Sequence, residues 1–369
     1  MKKSIIPLAL VLVIALLTGC AGTPVVYYSN CTCPTGAHDP VPQDTTPEVD
    51  TTDPIVSEGA VKTGVAILAS AGESVSAGMS MAMGSPDNGE AKYDVSVVAV
   101  TVDDNGIITN CIIDSIGTSV AFDANGAITS DLTAAVQTKN ELGDSYNMKL
   151  YGGAVAEWYE QAAALASFAV GKTVEELRAG AVDETGHAVD ADLATSATIY
   201  LGGYVAAIEK AVANARHLGA QSGDALKLAI IPGVSSSKSA DAENAGNAQL
   251  DVDVAAVTVK DGVITSAMID SLQAKVAFDA NGAITSDVTQ VFQTKNELGE
   301  GYGMVAWGGA IAEWNEQAAA FAAYITGKTP AEVAGIAVNE GTKPADADLS
   351  TSVTIAIGGF QALIQKACG

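Results

Sequence analysis

Two short segments of this sequence carry hydroxyl side chains at the same spacing behind an aspartate. Residues 192–198 read DLATSAT, and residues 348–354 read DLSTSVT. A threonine hydroxyl on a reachable turn can be esterified without a resident base, because a separate transferase can supply the activation. By spacing alone, however, Thr198 and Thr354 fit a strand or a helix N-cap better than a covalent site.

Most other catalytic constellations are absent from the sequence. Of its three histidines, His38 and His217 have no counterpart in the second half of the chain, and Lys343 stands at the position of His187. A Ser-His-Asp or Cys-His arrangement shared by both halves is therefore excluded. The sequence also has no Walker loop and no G-x-G-x-x-G that opens a strand–helix unit. These absences argue against a hydrolase.

The five cysteines do not form a recognisable metal site. Cys31 and Cys33 stand one residue apart, a spacing that suits a redox pair or half of a metal site. No second pair and no histidine cluster accompanies them, and Cys111 and Cys368 are isolated. The pattern favours a linker disulfide or free thiols over zinc.

The elements that would position the two hydroxyl segments begin with strands. Residues 95–102 are rich in β-branched side chains, residues 103–106 carry a turn signal, and residues 107–114 follow as a second arm. This pattern predicts a β-hairpin. Another Asn-Gly turn stands at residues 125–126.

Helices are predicted after the strands. Apolar spacing of three and four residues predicts a helix that Gly171 ends and whose inward face holds Val155, Trp158, Ala162, Leu165 and Ala169. Residues 173–176 resemble a capped helix start, and a last helix is expected from Gly203 to Ala215. Strands followed by helices predict an α+β fold.

The chain is a duplication. Residues 120–131 recur at 276–287, an offset of 156 that holds to the end of the chain. A period of this size is a domain rather than a solenoid unit. We therefore expect two tandem homologous domains, 61–219 and 220–369, each a small antiparallel sheet followed by packed helices.

The N-terminus resembles an export signal. Lys2 and Lys3 precede an apolar stretch, and residues 17–20 (LTGC) match a lipobox in which Cys20 receives the lipid. An uncleaved N-terminal anchor is the alternative. Residues 1–20 are thus a predicted lipoprotein signal peptide, and residues 21–60, rich in Thr, Pro and Asp, a predicted disordered stalk. The expected location is the outer face of the cell membrane, with lipid as the only anchor.

The charge balance excludes one class of partner. The sequence has 43 acidic against 18 basic residues, a formal net charge of -25. Such a surface repels phosphate backbones, so a nucleic-acid partner is not expected.

The wider sequence resembles one known family. Behind the lipobox and stalk, each half carries T-K-N-E-L-G, E-W-x-E-Q-A, G-K-T and T-S-[AV]-T-I-x-[IL]-G-G-[FY]. This order is similar to that of the PplA-type extracellular electron-transfer flavolipoproteins of Gram-positive bacteria. The hydroxyl segments resemble D-x-x-[ST]-G-A-T, on which ApbE-type flavin transferases esterify FMN to the last threonine. Ser196 and Ser352 replace the glycine here, and Val353 replaces the alanine.

The resemblance implies covalent FMN at two positions per chain. Thr198 and Thr354 would carry the phosphoester, and Asp192 and Asp348 would be the leading acids of the motif. The flavin would supply the redox chemistry, and the protein would supply position and electrostatics.

Two further pairs of residues are candidates to contact the flavin. Trp158 and Trp314 could stack on its ring, although their register with the apolar helix face favours a core role. Lys139 and Lys295 could meet the FMN phosphate or the reduced ring, or be solvated loop lysines. The nearby acids, among them Glu157, are expected at the surface.

The implied function is electron transfer outside the membrane. The chain would be a redox carrier rather than a catalyst, with an ApbE-type transferase, a membrane quinol-oxidising donor system and extracellular acceptors as partners. The alternative is a binding lipoprotein in which the duplication gives avidity for a wall component or a small ligand.

Overall fold

The computed structural model of the protein describes residues 59–78 and 88–369. The predictions for the signal peptide, for Cys20, for Cys31 and Cys33 and for most of the stalk lie outside the described residues. Gly59 and Ala60 are paired with the start of the second half: the Gly59 carbonyl accepts from Ser222 N at 2.7 Å, and Ala60 forms a bridge with Gln221. No helix in the described ranges is long and apolar enough to cross a membrane.

The first half begins with a three-stranded antiparallel sheet in the order β1-β2-β3. The strands are β1 (Lys62–Ser70), β2 (Gly89–Val102) and β3 (Ile108–Phe122). The helices that follow are α1 (Lys139–Leu142), α2 (Met148–Gly152), α3 (Trp158–Ala169), α4 (Val174–Ala181), α5 (Ala191–Ser196) and α6 (Gly202–Asn214).

The second half repeats this order. Its strands are β4 (Ala225–Gly233), β5 (Gly246–Lys260) and β6 (Val263–Phe278), and its helices are α7 (Lys295–Leu298), α8 (Met304–Gly308), α9 (Trp314–Ile325), α10 (Pro330–Ala334) and α11 (Gly358–Cys368). The predicted α+β class, with two similar halves of sheet followed by helices, is confirmed.

The two sheets pack face to face. Along β2 the side chains alternate: Val97 and Ala99 enter the core between the sheets, whereas Val98 and Val100 enter the core beneath the helices. Successive strand residues point to opposite faces, and all four of these are fully buried. Each middle strand is therefore covered on both sides, and the layers run helices, sheet, sheet, helices.

Symmetric contacts fix the two sheets against each other. The rings of Phe122 and Phe278 stack with centroids 4.0 Å apart. The Gly126 carbonyl accepts from Ala240 N, and the Gly282 carbonyl accepts from Ala77 N, both at 2.8 Å. A Cβ on Gly126 would lie 2.8 Å from that of Ala240, so this turn of the first half can meet the second half only as glycine.

One expectation from the sequence is wrong, and one strand was not predicted. Val155 is 60% exposed and lies outside α3, because Glu157 and Glu160 form a capping box that starts the helix at Trp158. The edge strand β1 was not expected, although its apolar run is typical of a buried strand. The capped start at Thr173 is confirmed, and the last helix is observed as α6.

Replacing Phe122 with alanine is expected to destabilise the whole fold. The substitution removes a fully buried ring and leaves Phe278 without its stacking partner, which costs about 3–5 kcal/mol of unfolding free energy. Urea denaturation measures this. Val291→Ala is the control, since Val291 is 85% exposed and its loss is expected to change the free energy by less than about 0.5 kcal/mol. Equal effects of the two substitutions would contradict the shared core.

Candidate functional site

The T-K-N-E-L-G motif forms a short capped helix at the edge of each sheet. In the first half the Thr138 hydroxyl accepts from Glu141 N at 3.2 Å, and the Glu141 carboxylate accepts from Thr138 N at 2.9 Å. Thr294 and Glu297 repeat this capping box. The cap makes Lys139 the first residue of α1, so the start of the helix fixes the backbone from which the lysine side chain extends.

A buried aspartate ties this helix to the sheet. The Asp114 carboxylate on β3 accepts from Asn140 N at 3.1 Å, and Asn140 Nδ2 donates to the Ile113 carbonyl at 3.0 Å. Asp270 holds Asn296 of α7 in the same way. Burial raises the pKa of Asp114, and it raises the pKa of Asp270 to about 6.

Lys139 and Lys295 both lie over aromatic rings. The Lys139 amine is 5.3 Å from the ring centre of Trp158 and 5.4 Å from that of Tyr146. The Lys295 amine is 4.8 Å from the ring centre of Trp314. These distances permit a cation–π attraction, so neither lysine is a free loop side chain.

The two tryptophans have the core role that the helix register favours, and Trp158 also faces a cavity. Trp158 is 2% exposed, and its Nε1 donates to the Tyr204 hydroxyl at 3.1 Å. Trp314 meets Phe360 edge-on instead, with ring centres 5.8 Å apart. One edge of each indole is therefore fixed by packing.

A cavity of about 520 Å³ opens beside Trp158 on the helix-covered face of the first sheet. Its walls combine Lys139, the rings of Tyr146, Trp158, Tyr200 and Tyr204, and the polar side chains of Asp94 and Ser96. The volume lies in the range of small-molecule sites, which bring apolar and aromatic walls together with a few polar groups.

Thr198 directly precedes part of this cavity's wall. It follows α5 at an exposed position, and the next two residues, Ile199 and Tyr200, line the cavity. The alternative that Thr198 belongs to a strand or caps a helix is not observed, because no strand covers residues 197–201 and the N-cap residues of α5 and α6 are Asp190 and Leu201. The Thr198 hydroxyl donates to the Gln161 side-chain oxygen at 3.4 Å.

A buried glutamine holds the turn in place. Gln161 of α3 is fully buried, and its Oε1 accepts from Thr198 N at 2.8 Å and from Ile199 N at 3.2 Å. Its Nε2 donates to the Ala156 carbonyl at 2.8 Å. One amide thereby satisfies three backbone groups that would otherwise be costly to leave unpaired.

The second half builds the same turn. Gln317 Oε1 accepts from Thr354 N at 2.8 Å and from Ile355 N at 3.2 Å. Its Nε2 donates to the Ala312 carbonyl at 2.8 Å. Thr354 is half-buried, whereas Thr198 is exposed. The E-W-x-E-Q-A motif therefore serves the hydroxyl turn of each half through its glutamine, a role that sequence reasoning missed although the motif itself was visible.

The leading acids of the motif are at the surface. Asp192 and Asp348 are exposed, and their backbone carbonyls accept from Thr195 and Thr351 hydroxyls. The acid that shapes the segment stands two residues earlier: Asp190 Oδ1 accepts from two backbone N–H groups of α5. Asp346 does the same in the second half, and the shared offset of 156 was the available signal.

Glu157 is also not where the sequence placed it. It is buried rather than at the surface, and its carboxylate accepts from Met148 N at 2.8 Å and from Lys149 N at 3.2 Å. Helix N-termini attract negative charge, so this acid fixes the start of α2 beside the cavity.

Ion pairs join each lysine-bearing helix to the other half. Glu141 of α1 pairs with Lys366 of α11 at 2.5 Å, and Glu297 of α7 pairs with Lys210 of α6 at 2.6 Å. The two pairs are related by the duplication. Each candidate site is therefore completed by a helix of its own half and braced by the last helix of the other.

A larger cavity lies elsewhere. It measures about 600 Å³ and is bounded by the connection at Arg216–Leu218, by β6 and by α9. Neither threonine lines it, so volume alone does not identify the site. Among the described residues no group of three or more His, Cys, Asp and Glu side chains could hold a metal ion.

The first cavity combines aromatic surfaces with one positive charge. Its rings offer stacking surfaces, Lys139 offers the positive charge, and Thr198 directly precedes Ile199 and Tyr200 of its wall. Such a lining suits a flat aromatic ligand that carries an anionic group.

Replacing Gln161 with leucine is expected to loosen the turn that carries Thr198. Two N–H groups lose their acceptor, which costs about 1–3 kcal/mol of local stability. Hydrogen exchange of the Thr198 and Ile199 amides is expected to accelerate by about tenfold or more. Gln317→Leu is the matched variant and is expected to loosen only the turn at Thr354. Unchanged exchange at Thr198 would contradict the assigned role.

Asp270 is expected to make stability fall as the pH rises from about 4 to above 6. The folded state holds a proton on Asp270 with a pKa of about 6, whereas the unfolded chain releases it near 3.8. The stability that protonated Asp270 contributes is fully present below the unfolded pKa. It is lost as the pH rises through the folded pKa, and the unfolding free energy falls by roughly 3 kcal/mol over this range. The difference in unfolding free energy between the wild type and Asp270→Asn isolates this term.

Asp123→Asn is the control of opposite sign. Backbone N–H donors lower the pKa of Asp123, so its contribution is present above the unfolded pKa and is lost on acidification. Urea denaturation from well below pH 3.8 to above pH 6 distinguishes the two residues, because the Asp123 contribution changes below the unfolded pKa and the Asp270 contribution changes above it. A wild-type minus Asp270→Asn difference that stays constant with pH would contradict the assignment.

Comparisons of the chain with protein-family models, with curated proteins and with solved structures found no match.

Proposed function

We propose that this protein is a lipid-anchored electron carrier outside the cell membrane, with FMN joined by a phosphoester to Thr198 and to Thr354. Each linkage forms when the threonine oxygen attacks the flavin-side phosphorus of a flavin dinucleotide: the pyrophosphate P–O bond breaks, and a nucleoside monophosphate leaves with the hydroxyl proton. The modified chain is thus heavier than the free chain by FMN less one water per site. An external ApbE-type transferase supplies the activation. The flavin, when bound, supplies reversible electron uptake.

One observation carries this proposal. Thr198 is exposed, Gln161 accepts from both its backbone N–H and its hydroxyl, and the two residues after it line a cavity with aromatic walls and a lysine. An attachment residue must be reachable by a modifying enzyme, yet it must hold its cargo against the protein. An exposed residue whose chain leads directly into the wall of a preformed cavity suits both conditions.

The chain's own residues have distinct roles in this arrangement. Trp158 and Tyr204 bound the space for a ring, and Tyr200 covers it from the solvent side. Lys139 supplies the positive charge that a phosphate or a reduced ring favours. Its counterpart Lys295 lies over Trp314 in the second half.

A covalent link suits a carrier that works outside the cell. Free FMN is dilute there, and a non-covalent site empties when the ligand concentration falls below its dissociation constant. A tether removes that dependence. The acidic surface, with a net charge of -25, keeps such a carrier soluble above an anionic membrane.

The placement of the two sites also suits a carrier. Each lies on the helix-covered face of its sheet, and the sheets pack through their opposite faces. Since packed sheets are about 10 Å apart, the two sites are separated by at least that distance. A membrane quinol-oxidising system would deliver electrons to one site, and extracellular acceptors would take them from the other.

Intact mass of the protein made together with the transferase tests the proposal. The expected result is a gain of two FMN less two waters, with peptide mapping that places one on each threonine. Thr198→Ala and Thr354→Ala are each expected to lose one increment, and Thr195→Ala, which changes a nearby hydroxyl, is expected to lose none.

An unmodified chain would contradict the proposal. Cells that possess the transferase, shown to be active on an accepted substrate, are required for that conclusion. The outcome would favour a ligand-binding lipoprotein, in which the cavity beside Trp158 takes a free ligand.

A further inference from the structure

The two candidate sites share a scaffold but differ in charge. The duplication makes each half an internal control for the other, because each residue of β2 has a counterpart in β5 at the same register position. Ser96 pairs with Leu68 and Ser115, whereas Asp253 pairs with Ile231 and Ser271 at the same place in its sheet.

The side chain at this register position faces the candidate site. Ser96 lines the cavity of the first half. In the second half Asp253 is close enough to Lys295 for the lysine charge to lower its pKa, although burial raises that pKa by a larger amount. Asp253 therefore stands where Ser96 stands in the first half, at the same register position of the middle strand.

A second difference changes the surroundings of the neighbouring carboxylate. In the first half, Asp94 and Lys139 both approach the space above Gly117, within 4 Å of where a Cβ would stand. Gln273 occupies that position in the second half and donates to Asp251 at 3.0 Å, while Gln249 donates to it at 2.7 Å. Two amides thus satisfy Asp251 in the second half.

The charge balance of the two sites follows from these residues. At the register positions of Asp94 and Ser96 the first half holds one carboxylate, whereas the second half holds two, Asp251 and Asp253. The second site is therefore more negative by one unit of charge.

Other substitutions between the halves partly offset one another. Lys149 forms an ion pair with Glu160 at 3.6 Å, and Val305 stands at the corresponding position of the second half. Lys343, which replaces His187, works in the opposite direction, but it is exposed and its charge is screened. The half-buried Asp253 is screened less, so it dominates the comparison.

Resting on the proposed function, we infer that the second site holds its flavin at a more negative reduction potential than the first. Reduction adds two electrons and one proton to the ring at neutral pH, so its net negative charge rises by one. A nearby carboxylate opposes that rise. Electrons therefore pass from the site at Thr354 to the site at Thr198, which gives the carrier a direction.

Single-flavin variants test the inference. Thr354→Ala leaves flavin on the first site, and Thr198→Ala leaves it on the second. Reductive titration of each with dithionite, followed by flavin absorption against redox dyes, measures the two potentials. The Thr198→Ala protein is expected to show the lower one.

Reciprocal exchange then assigns the cause. Asp253→Ser in the Thr198→Ala protein is expected to raise the potential toward that of the first site, and Ser96→Asp in the Thr354→Ala protein is expected to lower it. Each new residue is the one that the other half carries at the same register. Asp261→Asn is the control, since it removes an equal charge from the exposed β5–β6 turn, eight residues along the strand from Asp253.

The outcomes separate this inference from the proposed function. Equal potentials in the two single-flavin proteins, an inverted order, or an Asp253→Ser shift no larger than that of Asp261→Asn would overturn the inference while leaving the carrier function in place. A chain that carries no flavin overturns both, and the mass measurement shows this before any titration.

Discussion

The packing of one sheet against the other is the constraint on which the rest of the structure depends. A three-stranded sheet whose middle strand is apolar on both faces cannot leave either face in water. In β2 the odd-numbered residues from Val95 to Ala99 face the partner sheet, and the even-numbered ones from Val98 to Val102 face the helices. The second half supplies the cover that the first half lacks, so the duplication is part of the fold and not only a copy of it.

This packing also places the candidate sites. Because the inner faces are occupied by the shared core, the candidate cavity beside Trp158 lies on the outer face of its sheet, beneath the helices. The capped helix at Lys139 lines this cavity, and Lys366 from the other half braces it through Glu141. A substitution that alters the packing of α11 against the first half is therefore expected to shift α1, the helix that carries Lys139.

The duplication separates what the scaffold requires from what each site does. The buried glutamines, the capping boxes and the aspartates that hold the lysine helices are the same in both halves. These shared residues hold the threonine segments and the lysine-bearing helices in place. The residues that differ, Ser96 against Asp253 and Gly117 against Gln273, lie at the sites themselves. The proposed carrier, with two sites of unequal potential, would use such a common scaffold with different charges.

The sequence by itself determined the α+β class, the two similar halves and the capped helix start at Thr173, because β-branched runs, a fixed offset and capping spacing are readable from the sequence alone. It also indicated Thr198, Thr354, Trp158 and Lys139 as candidates. Only the tertiary structure brought Lys139, Trp158 and the residues after Thr198 to one cavity, since they are far apart in the chain and meet through packing. The same holds for Gln161, whose neighbours are 37 residues away, and for the burial of Glu157. Polar residues at such distances leave no periodic trace, so their partners are decided by the fold.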